Sequence, residues 1–232
     1  MAFSKAPFPF VWSSVVFIVF QLLLFFAALG IFLIYFLLAS VLGLNTSLSA
    51  IPTLVALGLA FVVFLFFSCG LNAALARAYV SALEGRKTTM ADFMRYALVK
   101  SPATFVIMLI RDAATLIVAS PGIALLVFLK DVAYMDILGD LYILLAVFLV
   151  HFLFTPAFIS AGGFGTGLAQ SLRNGVSFLR RNHVYALGLY IVFAFVWLMN
   201  FIPVIQLVTL FAIYPVVYSA FLVMFNESRM RW

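Results

Sequence analysis

An adjacent arginine and aspartate, Arg111 and Asp112, lie inside a stretch of sequence that is otherwise almost entirely apolar. This stretch begins at Pro102, so in a helix the two residues lie about 13 to 15 Å along it. An ionised side chain at that depth in a bilayer costs several kcal/mol unless it is paired or reaches water. Arg111 and Asp112 are therefore the first candidates for ion or proton chemistry.

Further polar residues lie at similar depths in other apolar stretches: Gln21, Asn72, His151 and Tyr214. Buried polar groups need hydrogen-bonding partners, so we expect all six side chains to meet inside a bundle of helices. This cluster has two interpretations, a site for a substrate, ion or proton, and a structural clasp that holds helices together. Neighbouring residues do not share a helix face, so we predict that Asp112 pairs with a residue on another helix, with His151 the leading candidate.

The elements that position these residues are apolar segments long enough to cross a membrane. The 232-residue chain is 67% hydrophobic and 9% charged, and its mean hydropathy is +1.28, whereas a soluble domain is about a quarter charged. No charged residue occurs between Lys5 and Arg77, although one crossing needs only about 20 apolar residues. We predict an all-α, polytopic transmembrane bundle with an uncleaved first helix. Its six spans are residues 11–42, 52–83, 102–129, 141–161, 184–201 and 204–225.

The distribution of basic residues predicts the orientation of these spans. With six spans, all but two of the 13 Lys and Arg fall on one side of the membrane, the exceptions being Lys130, in an outer loop, and Arg111. Cytoplasmic loops are the ones enriched in Lys and Arg. The sequence therefore predicts a single integral membrane domain, 1–232, with both termini in the cytoplasm.

Two basic segments, 88–99 and 166–182, are expected to be amphipathic helices on the cytoplasmic surface. The pair Thr89 and Asp92 is typical of a capping box at the start of the first. Its apolar face is Met90, Phe93, Met94, Ala97 and Leu98. In the second, the apolar stripe is Leu168, Leu172, Val176 and Leu179, and the opposite face is Gln170, Asn174, Ser177 and Arg181.

Helices of this kind rest in the headgroup layer with their basic residues toward anionic lipid. The net charge of +6 therefore points to a lipid surface rather than to nucleic acid. The candidate lipid contacts are Arg86, Lys87, Arg95, Arg173, Arg180 and Arg181. The alternative is that both segments pack under the bundle as connectors. Because both segments lie between an inward and an outward span, they also suggest a weak parallel repeat, with chance similarity as the other explanation.

Motifs for catalysis, metals and cofactors are missing from the sequence. It contains no His-Glu-x-x-His, no Gly-x-Ser-Gly and no acidic cluster to hold magnesium. The glycines from Gly162 to Gly167 lack the following Gly-Lys-Ser or Gly-Lys-Thr of a phosphate loop, so they predict a flexible bend. The single cysteine, Cys69, has no disulfide or metal partner. We expect no catalytic residue, no metal and no cofactor.

Small residues recur at every fourth position of the second span, at Gly70, Ala74, Ala78 and Ala82. Small residues at this spacing let another helix approach closely. We interpret them as a packing ridge.

Two segments resemble a known group of membrane proteins. Gly167-Leu-Ala-Gln-Ser-Leu-Arg-Asn-Gly-Val-Ser-Phe-Leu-Arg-Arg-Asn182 precedes an apolar hairpin with Ile202-Pro203, and Ala82-Leu-Glu-Gly-Arg-Lys-Thr-Thr-Met-Ala-Asp92 lies between the second and third spans. Both resemble segments of poorly characterised prokaryotic six-helix membrane proteins, including those similar to the membrane domain of glycerophosphodiester phosphodiesterases. The resemblance implies an architecture and a prokaryotic plasma membrane. It does not imply phosphodiesterase activity, because the chain has no such catalytic domain.

Taken alone, the sequence favours a non-enzymatic membrane protein, a scaffold or accessory subunit of a membrane assembly. Its expected partners are the bilayer with its anionic lipids, and other membrane proteins or a second copy of the chain. The alternative is a small permease or lipid-handling transporter that uses the polar cluster.

Overall fold

The computed structural model describes residues 8–41, 47–129, 132, 134–199 and 214–229. Within those ranges the chain forms six helices and no strand. The helices are α1 (Phe8–Val41), α2 (Ser47–Leu83), α3 (Met90–Phe128), α4 (Met135–Gly163), α5 (Leu168–Met199) and α6 (Tyr214–Arg229).

Four helical stretches are long and apolar enough to cross a membrane: Phe8–Tyr35, Leu54–Leu83, Met90–Phe128 and Met135–Gly163. Many of their large apolar side chains are exposed, including Leu23, Phe26, Leu59 and Leu144. Exposed apolar surface of this extent suits lipid rather than water. The predicted all-α membrane architecture is confirmed at this level. The fifth and sixth spans stay predictions, and residues 200–213 between α5 and α6 lie outside the described residues.

The chain divides into two compact units, residues 1–105 and 106–232, with the boundary inside α3. In the first unit, α1 and α2 pack in antiparallel directions. Ser14 near the start of α1 lies 2.6 Å from the Tyr79 hydroxyl near the end of α2 (Oγ to Oη). Further along α1, Gln21 Nε2 donates to Ser68 Oγ at 2.7 Å. The first unit is therefore held partly by hydrogen bonds between its helices.

The small-residue ridge of α2 meets α3 at Gly70 inside the first unit. Ala74 and Ala78 are each 1% exposed, and a Cβ at Gly70 would overlap both Ser101 Oγ and the Ala97 carbonyl. The two helices approach so closely because Gly70 has no side chain. The predicted packing ridge is confirmed at its Gly70 end.

The start of α3 is capped as the sequence predicts. The Asp92 amide donates to Thr89 Oγ1 at 3.1 Å, and Thr89 Oγ1 donates to Asp92 Oδ2 at 2.6 Å. The segment predicted as a surface helix, 88–99, is not separated from the third span, because α3 is continuous from Met90 to Phe128. Hydroxyls support the helix around Pro102: Ser101 Oγ donates to the Ala97 carbonyl at 2.8 Å and Thr104 Oγ1 to the Lys100 carbonyl at 2.8 Å. Such bonds help a helix to accommodate proline.

The second unit contains the rest of α3 together with α4, α5 and α6. Ile107 of α3 forms a buried core with Ala157 and Ala161 of α4. At the far end of the same pair, a Cβ at Gly122 would lie 2.9 Å from the Gly139 carbonyl oxygen, so α3 and α4 also touch through glycine. The α5–α6 contact is aromatic, because the Phe178 ring packs on those of Phe221 and Phe225, 5.8 and 5.1 Å away.

Helix α5 bends at Asn182, whose backbone is non-helical (φ −129°, ψ 23°). The bend falls between the second predicted surface helix, 166–182, and the predicted fifth span. The equivalent segment of the suggested repeat, at the start of α3, continues into its span without such a break. The backbones of the two predicted surface helices therefore differ at this point. Leu168 and Leu172, from the predicted apolar stripe, pack against the Ile107 core, whereas Val176 is 55% exposed. For this segment, these contacts favour the connector alternative.

Candidate functional site

The polar residues predicted for the first unit lie around Ser68. Gln21 donates to the Ser68 hydroxyl, and Asn72 Nδ2 donates to the Ser68 carbonyl of its own helix at 2.8 Å. Asn72 is exposed, whereas Gln21 Oε1 is buried and accepts no hydrogen bond from the described residues. The sequence did not single out Ser68, which is the residue that joins the two amides.

Arg111 and Asp112 of the second unit form an ion pair with each other. Arg111 Nε donates to Asp112 Oδ1 at 2.8 Å, and a second guanidinium nitrogen lies 2.7 Å from the same oxygen. The prediction that Asp112 pairs with a residue on another helix was therefore wrong. The reason is the length of the arginine side chain, which can bend back along the helix surface and reach a neighbour whose Cα faces elsewhere.

Residues on two other helices interact with this pair. The Arg111 guanidinium lies over the Phe158 ring of α4, 5.5 Å from its centroid. His151 of α4 lies within electrostatic range of both Arg111 and Asp112. Arg111 also interacts electrostatically with Tyr190 of α5. The Tyr190 ring packs on those of Phe148 and Phe152 on α4, with centroids 5.0 and 5.4 Å away. We call Arg111, Asp112, His151, Phe158 and Tyr190 the charged cluster.

The sequence interpretation placed three members of the charged cluster together and missed two. Phe158 follows His151 by two helical turns and so shares its face. This spacing alone could have placed Phe158 beside His151. Tyr190 is a polar aromatic in an apolar segment, the same signal that identified Tyr214. Tyr214 is the first residue of α6, and its side chain lies outside the described part of the structure.

A second polar network, which the sequence did not predict, ties α4 to α5. Thr166 Oγ1 lies 2.8 Å from Ser160 Oγ and 2.7 Å from Ser171 Oγ, and Asn174 Nδ2 donates to Ser160 Oγ at 3.0 Å. Ser160 and Ser171 are fully buried, and Asn174 is 6% exposed. Asn174 was assigned to the solvent-facing side of a surface helix, so that assignment was wrong. The glycine bend exists, with Gly165 at φ +69°, and this network holds its two ends.

The six basic residues predicted to contact anionic lipid are all exposed: Arg86, Lys87, Arg95, Arg173, Arg180 and Arg181. Arg86 forms an ion pair with Glu84.

Chemically, the charged cluster offers an ion pair, a neighbouring imidazole and a phenol. The guanidinium and carboxylate neutralise each other, and the Phe158 face adds a cation–π contact of about 0.5 to 2 kcal/mol. The Asp112 side chain is 47% exposed and that of Arg111 22%, so the carboxylate is the more accessible partner. The arrangement suits a structural clasp, with one carboxylate edge that a proton or cation could approach.

No family model, curated protein or solved structure matches this chain. The resemblance to six-helix prokaryotic membrane proteins therefore stays a prediction from the segments quoted above.

Proposed function

We propose that this chain is a non-enzymatic integral membrane protein that serves as a scaffold or accessory subunit of a membrane assembly. We also propose that it lies in the plasma membrane of a prokaryote, as the resemblance described above implies. Its partners in this proposal are the bilayer with its anionic lipids, and other membrane proteins or a second copy of the chain.

The observation that carries the proposal is the mutual neutralisation of Arg111 and Asp112. A charged pair that already satisfies itself, with an aromatic ring on the guanidinium, needs neither a substrate nor an ion for its stability. Charges within a spanning helix that are paired in this way suit a packing role. The second polar network joins α4 to α5, and its hydroxyl groups form hydrogen bonds with one another.

Exposed apolar side chains supply the surfaces that an assembly would use. On α1 the large exposed residues include Phe25, Phe26 and Ile31, and on α2 they include Leu54 and Phe61. In a bilayer such faces contact either lipid tails or the helices of another protein, and van der Waals packing decides between the two.

The test of this proposal is extraction of the native protein in a mild detergent, followed by size measurement and identification of what copurifies. We expect a second membrane protein, or further copies of this chain, at a fixed ratio that survives repeated purification. An unrelated polytopic protein of similar size, extracted in parallel, controls for random association. A chain that always purifies as a monomer would contradict the scaffold role.

The alternative of a small permease or lipid-handling transporter is supported by the 47% exposure of the Asp112 side chain beside His151. A carboxylate that reaches an aqueous path could carry a proton or bind a cation. This alternative requires that removal of both charges abolish transport while the protein remains folded.

The orientation proposed for the scaffold can be measured by cysteine labelling of whole cells in a Cys69→Ser background. Arg86→Cys and Arg180→Cys should be protected from a membrane-impermeant thiol reagent added outside, because both positions would face the cytoplasm. Asp136→Cys, in the first turn of α4, should react. All three should react in permeabilised cells, which controls for accessibility, and outside labelling of Arg86→Cys or Arg180→Cys would overturn the orientation.

A further inference from the structure

The first unit contains a strongly basic cavity at the end where α2 finishes and α3 begins. Its volume is about 510 Å³. The lining carries four cationic side chains, namely Arg77, Arg86, Lys87 and Arg95, against one acid, Asp92. Ser81, Thr88 and Tyr96 add hydroxyl groups. The residues come from α2, the connecting loop and α3, so the fold brings together charges that are well separated in sequence.

The positive charge of this cavity is partly neutralised by neighbouring acidic side chains. Arg86 is paired with Glu84, and the Asp92 carboxylate accepts a hydrogen bond from the Thr89 hydroxyl. Lys87 and Arg95 are exposed, and Arg77 is half-buried and acts electrostatically on Tyr96. An anion that enters the cavity would meet the Lys87 ammonium and the Arg95 guanidinium, whose planar shape suits phosphate oxygens.

A second, more apolar cavity of about 300 Å³ adjoins the first. The two share Arg86, Lys87 and Thr88. The rest of the second lining is Phe8, Pro9, Trp12, Ser13, Ala78 and Ala82. The Phe8 and Trp12 rings are stacked, with centroids 6.5 Å apart, and they are 73% and 46% exposed. Tryptophan at the start of a spanning helix is typical of the membrane–water interface.

We propose that these adjoining cavities form one binding site for an anionic phospholipid. The phosphate lies among Arg77, Lys87 and Arg95, and the glycerol ester region lies against Phe8 and Trp12. A phosphate group alone would match the basic cavity but would leave the aromatic one unused, so the pair of cavities favours a lipid over free phosphate. The site specifies where the anionic lipid proposed above as a partner would bind, and it does not depend on the scaffold role.

The site can be tested by equilibrium binding to the full chain, purified and delipidated in an uncharged detergent. The ligands are dihexanoyl phosphatidylglycerol, dihexanoyl phosphatidylcholine and inorganic phosphate. We expect the anionic lipid to bind most tightly. The Lys87→Gln/Arg95→Gln variant should weaken that binding by at least about tenfold, because each basic residue contributes to attraction of an anionic lipid. Both residues are exposed, so we expect the variant to fold, and its melting temperature without lipid provides the check.

Arg173→Gln/Arg180→Gln is the matched control, since it removes the same charge from two exposed residues of α5 that lie outside both cavities. Its affinity for the anionic lipid should stay within about twofold of the parent, because neither arginine lines either cavity. Equal losses in the two double variants would overturn the site in favour of diffuse attraction to the basic surface.

Trp12→Ala distinguishes a lipid from free phosphate. It should weaken binding of the anionic lipid and leave binding of inorganic phosphate unchanged. If inorganic phosphate binds as tightly as the lipid, and Trp12→Ala affects neither, the assignment to a lipid is wrong. Absence of saturable binding by both anions would overturn the whole proposal.

Discussion

Asp112→Asn is expected to lower the free energy of unfolding by about 2 to 3 kcal/mol, because Arg111 would remain as an unpaired cation within a spanning helix. The estimate is below the full cost of breaking a buried pair, about 3 to 5 kcal/mol, because the Asp112 side chain is 47% exposed. Reversible unfolding in mixed micelles measures the change. Asp140→Asn is the matched control, since Asp140 is an exposed residue near the start of α4, and it should change stability little.

The Arg111→Gln/Asp112→Asn variant should recover more than half of that loss, because it removes both charges together. Recovery identifies the pair as a unit. If Asp112→Asn is as stable as the parent, the clasp interpretation is wrong, and an aqueous environment for Asp112 becomes the better explanation.

The same double variant separates the two functional proposals. A scaffold that lacks the pair but folds should still assemble with its partner at the original ratio. A transporter that lacks the pair should fold and lose activity, because the groups that carry the proton or ion are gone. Stability and assembly should therefore be measured on one preparation.

Gly70→Ala is expected to destabilise the first unit by about 1 to 3 kcal/mol, the usual cost of overpacking. The added Cβ would overlap both Ser101 Oγ and the Ala97 carbonyl. The hydroxyl could rotate away, but the carbonyl belongs to the backbone of α3 and can move only with that helix. Thermal unfolding of the purified protein measures the loss.

Gly58→Ala provides the control on the same helix, since a Cβ at Gly58 meets nothing within 4 Å. Alanine has the higher helix propensity by about 1 kcal/mol, so this variant should be at least as stable as the parent. If both substitutions destabilised the protein equally, the close approach of α3 to Gly70 would not be the cause of the loss.

The membrane architecture was predictable from the sequence because it depends on hydropathy and charge content, which add along the chain. The low charge content and the apolar run between Lys5 and Arg77 are sufficient to require helices long enough to cross a bilayer. The cap at Thr89 and Asp92 was predictable for a related reason, since its hydrogen bonds join residues within one turn. The small-residue ridge identified the face of α2 that packs, although not which helix would cover it.

The pairing of residues was decided by the tertiary structure. Equal depth placed Asp112 and His151 together, but the arginine at the next position is long enough to reach the carboxylate itself. Asn174 looked like a surface residue until the turn at Gly165 brought Ser160 within hydrogen-bonding distance of it. Likewise, the basic cavity exists because the fold brings Arg77 of α2 close to Lys87 of the connecting loop and Arg95 of α3. Hydropathy and periodicity depend on a residue's own segment, whereas a side chain's partner depends on its rotamer and on how closely another helix approaches.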